Sequence, residues 1–174
     1  ILIKNSYRNL GRSFGTAPKR GFFKNILLIQ SRVAEKNWSV KMDIHMIEVN
    51  NLTSKKIDLK RVRSIILETL RLEKKVDDKE ISVAIVNSYE IEKINSKYRN
   101  INQPTDVLSF EGEGNILGEI IICPDEIQKN GENFDNELKR VLIHGTLHLL
   151  NYDHEKDQGE MIKKQEKYFS LIKK

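Results

Sequence analysis

The spacing of apolar residues changes regularly from residue 46 onward, and it predicts an alternation of strands and helices. Alternating or β-branched runs predict four short strands, over 47–50, 80–87, 107–110 and 116–122. Apolar residues three or four positions apart predict helices between and after these strands. These helices are predicted to follow Asp58 and Ser88 as caps, to run from Pro124 to Gly131, to restart near Asp135, and to end with one burying Met161, Tyr168, Leu171 and Ile172.

The order of these elements is strand, helix, strand, helix, two strands and then helices. It predicts an α+β fold in which a small mixed β-sheet carries helices packed mainly on one side. The 174 residues are enough for one domain of this kind with a sizeable core. We expect that domain to span residues 46–174.

Residues 1–45 show no sustained spacing of apolar residues that would predict a strand or a helix. They also differ in charge from the rest of the chain. They carry nine of the 30 basic residues and two of the 25 acidic ones, a net charge of +7, which leaves −2 for the remainder. This composition is typical of an organelle transit peptide or a basic flexible tail. A third interpretation, which we favour, is upstream sequence before a natural domain that starts at Met46. His45 is expected to have no functional role.

A single cysteine, Cys123, lies at the end of an apolar run. No intrachain disulfide is possible, which favours a reducing compartment. We expect Cys123 to be a small buried residue and not a metal ligand. No apolar run approaches the length of a membrane span.

Three of the four histidines, His144, His148 and His154, fall within eleven residues. The first two are four apart, so a helix places both imidazoles on one face. His154 can reach the same point only if the helix ends between them, and Asn151 is a residue that readily adopts the left-handed conformation of helix ends. Three imidazoles without a fourth protein ligand are typical of a catalytic zinc site that keeps one position open for water.

Three alternatives stay open for this pattern. The histidines could lie on an ordinary helix surface without any metal. The spacing H-x3-H-x5-H also occurs in metzincin peptidases, although those carry a general-base Glu where this chain has Gly145. A binding protein with a structural zinc is the third possibility, but structural sites usually have four protein ligands.

The segment from His144 to His154 resembles the signature H-G-x-L-H-L-x-G-Y-D-H of the YbeY family, the bacterial ribosomal-RNA maturation ribonucleases. It differs from that signature at Asn151, where the family has Gly. Residues 95–110 resemble the family block N-x-x-Y-R-x-x-x-x-P-T-D-V-L-S-F. Residues 117–122 resemble its L-G-D-I-x-I strand, with Glu119 in place of Asp. The resemblance covers roughly residues 46–174.

The resemblance implies a zincin-like fold with one zinc held by His144, His148 and His154. It implies metal-dependent cleavage of single-stranded RNA, in maturation of the 3' end of small-subunit (16S) ribosomal RNA and in ribosome quality control. The implied partners are ribosomal RNA, the small ribosomal subunit, and a ribosomal protein or an assembly GTPase. The implied location is the bacterial cytoplasm, or an organelle if residues 1–45 are a transit peptide. Because residues 46–174 are slightly acidic, RNA binding would need a local basic patch, the basic segment or a protein partner.

The arginine of the family's Tyr-Arg block falls on Arg99, the candidate catalytic residue. Phosphodiester hydrolysis builds charge on the phosphoryl oxygens, which a guanidinium can meet with two parallel hydrogen bonds. A surface salt bridge is the alternative role for Arg99. Asp106 and Asp153 are expected either to orient an imidazole or to fix a loop. Tyr152 is expected to pack against its neighbours.

Overall fold

One mixed β-sheet organises the computed structural model, which describes residues 2–3, 47–75, 79–131 and 133–173. The strands are β1 (Leu2–Ile3), β2 (Ile47–Asn51), β3 (Glu80–Ile85), β4 (Val107–Glu111) and β5 (Ile116–Ile122). Their order across the sheet is β1-β4-β5-β3-β2. Strands β2, β3 and β5 are mutually parallel, β4 is antiparallel to β5, and β1 is parallel to β4. The predicted mixed sheet is confirmed.

Among the described residues, five helices accompany the sheet: α1 (Leu59–Leu72), α2 (Ser88–Arg99), α3 (Pro124–Lys129), α4 (Phe134–Leu149) and α5 (Glu160–Leu171). The predicted cap at Asp58 is confirmed, because its carboxylate accepts hydrogen bonds from the backbone N–H groups at the start of α1. Asn133 caps α4 in the same way, through the backbone N–H of Asn136. Such caps satisfy N–H groups that the first helical turn leaves without partners.

The helices pack unequally on the two faces of the sheet. On one face, α1, α4 and α5 enclose the larger core with strand residues that include Ile81, Val83 and Ile120. On the other face, Ile91 of α2 packs on a smaller group of residues, namely Ala84, Val86, Leu108, Ile121 and Cys123. The fold is therefore α+β with helices mainly on one side, as predicted. The histidine-bearing helix α4 belongs to the larger core.

Three local predictions need correction. Asn87, not Ser88, caps α2, since its side chain accepts from the backbone N–H of Glu90. The Ser88 hydroxyl instead donates to the carboxylate of Glu126. Gly131 does not end α3, which stops at Lys129 with Asn130 as its cap. Leu171 is 52% exposed, because α5 ends there and the chain turns at Ile172, which is buried.

Most of the basic segment 1–45, including His45, lies outside the described residues. Of this segment, Leu2 and Ile3 are described, and their backbone pairs with Ser109 and Phe110. Within the described part of the chain, no helix is both long and apolar enough to cross a membrane. Cys123 is buried with a free thiol, as expected.

Candidate metal centre

His144 and His148 lie on one face of α4, with their imidazoles one helical turn apart. Their ring centroids are 4.6 Å apart and their Nε2 atoms 3.1 Å apart. Helix periodicity alone accounts for this pairing, because side chains at i and i+4 lie above one another.

The chain reverses at Asn151, which has a φ of 68°. The backbone N–H of Tyr152 donates to the carbonyl of Leu147, and the N–H of Asn151 donates to the carbonyl of His148. This pair of bonds is the Schellman ending of a helix, with its left-handed residue at the first position beyond the cap. The predicted turn is confirmed. The positive φ of Asn151 is one that Asn tolerates, which explains why Asn can replace the Gly of the family signature that this segment resembles.

The reversal brings His154 back toward the two helical histidines. Its ring centroid lies 5.2 Å from that of His144 and 5.3 Å from that of His148. One ring nitrogen from each of the three lies within 4.8 Å of the others. Within the described residues, this trio is the one cluster of His, Cys, Asp or Glu side chains that has the spacing of metal ligands.

The outer nitrogens of the two helical imidazoles have defined partners. Nδ1 of His148 donates to the backbone carbonyl of Tyr152 at 2.9 Å. Nδ1 of His144 donates to Oε1 of Gln165, on α5, at 2.8 Å. An oxygen acceptor requires the proton to sit on Nδ1, so each Nε2 carries a lone pair. Gln165 was not predicted from the sequence, where it looks like an ordinary polar residue of an amphipathic helix.

The surroundings keep these imidazoles neutral. Burial lowers the pKa of His144 to about 4 and the pKa of His148 to about 3. At neutral pH both rings are therefore uncharged, which is the form that binds a metal ion. Removal from water disfavours the imidazolium because the charged form loses its hydration.

These residues fit a bound metal. The two Nε2 atoms face each other at 3.1 Å, and neither has a proton to donate to the other. Two opposed lone pairs repel unless a cation lies between them. Tetrahedral zinc with Zn–N bonds of about 2.0–2.1 Å separates its nitrogen ligands by about 3.3 Å, close to the observed distance.

Gly145 faces the sheet and not the histidine trio. A Cβ at this position would lie 3.1 Å from Oγ of Ser109 and 3.3 Å from Cγ2 of Ile120. The absence of a side chain lets α4 approach β4 and β5 closely. A side chain at this position would press on these sheet residues, and glycine itself carries no group that could act as a general base.

Comparisons with known proteins identify the family of this chain. A family model described as Endoribonuclease YbeY matches residues 45–173. The chain belongs to the endoribonuclease YbeY family. It is 38% identical to the Endoribonuclease YbeY of Nautilia profundicola over 136 residues, which are 74% of this chain and 91% of the relative. It is 40% identical to that of Thermotoga maritima over 109 residues, which are 58% of this chain and 73% of the relative.

A solved structure shares the fold of this YbeY-family chain. The solution structure of TM1509 from Thermotoga maritima matches with 32% sequence identity and a TM-score of 0.50. The match covers 72% of this chain and 87% of that one.

Arg99, the arginine of the YbeY-like Tyr-Arg block, lies at the end of α2, which packs on the opposite face of the sheet from α4. Its Nη1 donates to Oδ1 of Asn95 at 3.1 Å, and Nδ2 of Asn95 donates to the backbone carbonyl of Gln103 at 2.7 Å. The arginine is thereby tied to the loop that leads into β4. No bond or ion pair within the described residues joins Arg99 to the histidines or to a carboxylate. Its catalytic role stays a prediction.

The two aspartates near the site stabilise loops. Asp106 accepts from Nδ2 of Asn130 at 2.9 Å, and its backbone carbonyl accepts from the N–H of Cys123. Asp153 accepts from the backbone N–H of Glu155 and pairs with Lys156. Of the two roles that the sequence left open, the loop role is the one visible in the hydrogen bonds.

Tyr152 does more than pack. Its hydroxyl donates to Oε2 of Glu73 at 2.8 Å, at the C-terminal cap of α1. Oε1 of Glu73 accepts from Nζ of Lys164 at 2.9 Å and from the hydroxyl of Tyr168. Glu73 was not predicted from the sequence, because nothing near it marks a partner so far along the chain.

Proposed function

We propose that this chain is a metal-dependent endoribonuclease that cleaves single-stranded RNA, with one zinc held by His144, His148 and His154. The observation that carries the proposal is the convergence of three imidazoles, two of them neutral with their Nε2 lone pairs turned inward, in a member of the endoribonuclease YbeY family. Imidazole ligands without thiolates suit zinc, and three protein ligands leave a position for water.

The proposed substrate is the precursor 3' end of small-subunit (16S) ribosomal RNA, and the proposed setting is ribosome maturation and quality control in the bacterial cytoplasm. The support is the set of relatives named Endoribonuclease YbeY, together with the RNA-processing role of the family that the sequence resembles. Proposed partners are the small ribosomal subunit and a ribosomal protein or assembly GTPase. Such a partner would offset the slightly acidic charge of residues 46–174.

The residues of this chain have separable tasks in such a reaction. Tyr152 and Gln165 hold the protons of His148 and His144 on Nδ1, so that each Nε2 is free to act as a ligand. When bound, zinc lowers the pKa of water toward neutrality and polarises a phosphoryl oxygen. Because Gly145 supplies no base, the protein's further contribution would be charge stabilisation at phosphorus, which we assign to Arg99.

The peptidase alternative lacks support. The position that holds the general base in those enzymes is Gly145, which packs against the sheet. The relatives reported above carry the name of an endoribonuclease, not of a peptidase.

A cleavage assay tests the proposal. Purified protein with zinc should cut single-stranded RNA, should leave duplex RNA of the same sequence intact, and should lose activity when a chelator removes the metal. His148→Ala should lose both bound zinc and cleavage. His45→Ala is the matched control, since it removes a histidine outside the trio. Undiminished cleavage in excess chelator, or a parental zinc content in His148→Ala, would refute the assignment.

A further inference from the structure

Tyr152 connects two parts of the protein that lie far apart in sequence. Its backbone carbonyl accepts the Nδ1 proton of His148, and its hydroxyl donates to Glu73, which is 79 positions away. The same residue thus contacts a proposed metal ligand at one end and a fixed carboxylate at the other. It also lies in the segment that leads from His148 to His154.

Glu73 is a rigid anchor for that contact. Its side chain is 8% exposed, and its two oxygens accept from three donors, namely the hydroxyls of Tyr152 and Tyr168 and the ammonium of Lys164. A carboxylate so enclosed is held in place, because moving it would leave a buried charge without partners. Burial acts to raise the pKa of Glu73, but these hydrogen bonds outweigh burial and leave the pKa below its ordinary value.

The Glu73 carboxylate is also connected to His144, the other histidine of α4. Lys164 and Tyr168, which bind Glu73, flank Gln165 on α5, and Gln165 accepts the Nδ1 proton of His144. Gln165 is itself buried. The oxygen acceptors of His148 and His144 are thus both carried by segments that are attached to Glu73.

We propose that Glu73 and Tyr152 are positioning residues for the metal centre, fixing the carbonyl that orients His148 and the start of the segment that carries His154. Neither residue is a ligand or touches the reacting atoms. The inference rests on the metal site of the proposed function, but it does not depend on RNA being the substrate. Partners that orient a ligand histidine change metal affinity by about 10–100-fold when they are removed.

Two single-hydroxyl variants test this inference. Tyr152→Phe and Tyr168→Phe each remove one hydroxyl from the same carboxylate. Only the first releases the segment between His148 and His154, because Lys164 still joins α5, and with it Gln165, to Glu73 in Tyr168→Phe. Zinc affinity is measured by competition with a chromophoric chelator. The absorption spectrum of bound Co²⁺ reports ligand geometry, and thermal unfolding of the metal-free variants reports general stability.

We expect Tyr152→Phe to weaken zinc binding about tenfold or more and to alter the Co²⁺ spectrum. Tyr168→Phe should lower the thermal midpoint of the metal-free protein about as much as Tyr152→Phe does. It should weaken zinc binding less than Tyr152→Phe does. A third variant, Glu73→Gln, keeps the size of the side chain and should weaken zinc binding at least as much as Tyr152→Phe. The inference is overturned if Tyr152→Phe and Glu73→Gln bind zinc as tightly as the parent. It is also overturned if Tyr168→Phe weakens binding as much as Tyr152→Phe.

Measuring zinc binding and RNA cleavage in the parent protein distinguishes failure of this inference from failure of the proposed function. If the parent binds zinc but does not cut RNA, the proposed function fails while the affinity series still decides the roles of Glu73 and Tyr152. If the parent binds no zinc, both fail.

Discussion

The Ser109 hydroxyl donates a hydrogen bond to the backbone carbonyl of Gly145 at 3.3 Å, inside the core. Helix α4 touches strand β4 at this point, one residue after His144. The position of the histidine face is therefore set by a contact on the neighbouring face of the same helix. Any side chain larger than hydrogen at Gly145 must displace the sheet residues beneath it.

Replacing Gly145 with Glu should destabilise the protein strongly. The substitution places a carboxylate among Ser109, Ile120 and Val107, and an uncompensated buried charge costs about 3 kcal/mol or more. Gly145→Ala should change stability by no more than about 1 kcal/mol, because the gain in helix propensity offsets the required shift of neighbours. Urea unfolding at neutral pH measures both. A Gly145→Glu variant as stable as the parent would show that this face of the helix is not closely packed.

Replacing Glu73 with Gln should reduce stability in a pH-dependent way. The pKa of Glu73 lies below its ordinary value of 4.5, despite the opposing effect of burial, because Tyr168, Lys164 and Tyr152 bind the carboxylate. A group with a lowered folded-state pKa stabilises the fold above its unfolded-state value and loses that contribution as pH falls. The free energies of unfolding of parent and variant should therefore differ most near neutral pH and converge below about pH 4.5.

That comparison uses metal-free protein, so that protonation of the proposed histidine ligands cannot change the amount of bound metal during the series. Denaturant unfolding at several pH values gives both curves. A constant difference between parent and variant from neutral pH down to acid pH would contradict the role of the Glu73 charge.

Replacing Arg99 with Ala should reduce RNA cleavage by about a hundredfold or more, if its guanidinium stabilises charge developing at phosphorus. Arg99→Lys should recover little activity, since an ammonium cannot make the planar two-point contact. Zinc content and stability should stay near those of the parent, because Arg99 has no ion-pair partner within the described residues. Arg71→Ala removes an exposed arginine next to Glu68 and should leave cleavage unchanged. Full activity in Arg99→Ala, or loss of folding, would rule out the catalytic role.

A shortened chain that starts at Met46 should unfold at the same temperature as the full chain, within experimental error. Residues 1–45 lack the periodicity of an element that contributes to a core, and the described pairing with β4 covers two residues, Leu2 and Ile3. Thermal unfolding followed by circular dichroism makes the comparison. A clear fall in the midpoint would show that the segment packs on the domain.

The sequence was most informative where the deciding interaction is local. The His144–His148 pairing follows from helix periodicity, and the turn at Asn151 follows from its tolerance of a positive φ. The cap of α2 was misplaced by one residue because Asn87 and Ser88 are both good caps, and backbone geometry decided between them.

Partners that lie far apart along the chain could not be predicted from one sequence. Glu73 is an ordinary polar residue at a helix end until Tyr152 and Tyr168 come to lie beside it. Gln165 likewise has no local feature that marks it as the acceptor for His144. Their roles depend on tertiary packing, which residue spacing along one chain does not specify.

The distance in sequence between Glu73 and Tyr152 also bears on how the protein matures. Closing a loop of 79 positions costs conformational entropy that a local contact does not cost. The contacts that hold the two Nδ1 acceptors in place are therefore complete only when α1, α4 and α5 have packed together. Zinc would then bind the native state more tightly than the partly folded chain, and it would stabilise that state by up to about 2.7 kcal/mol at a free concentration one hundred times its dissociation constant. Zinc uptake by a newly made chain would thus report that its folding is finished.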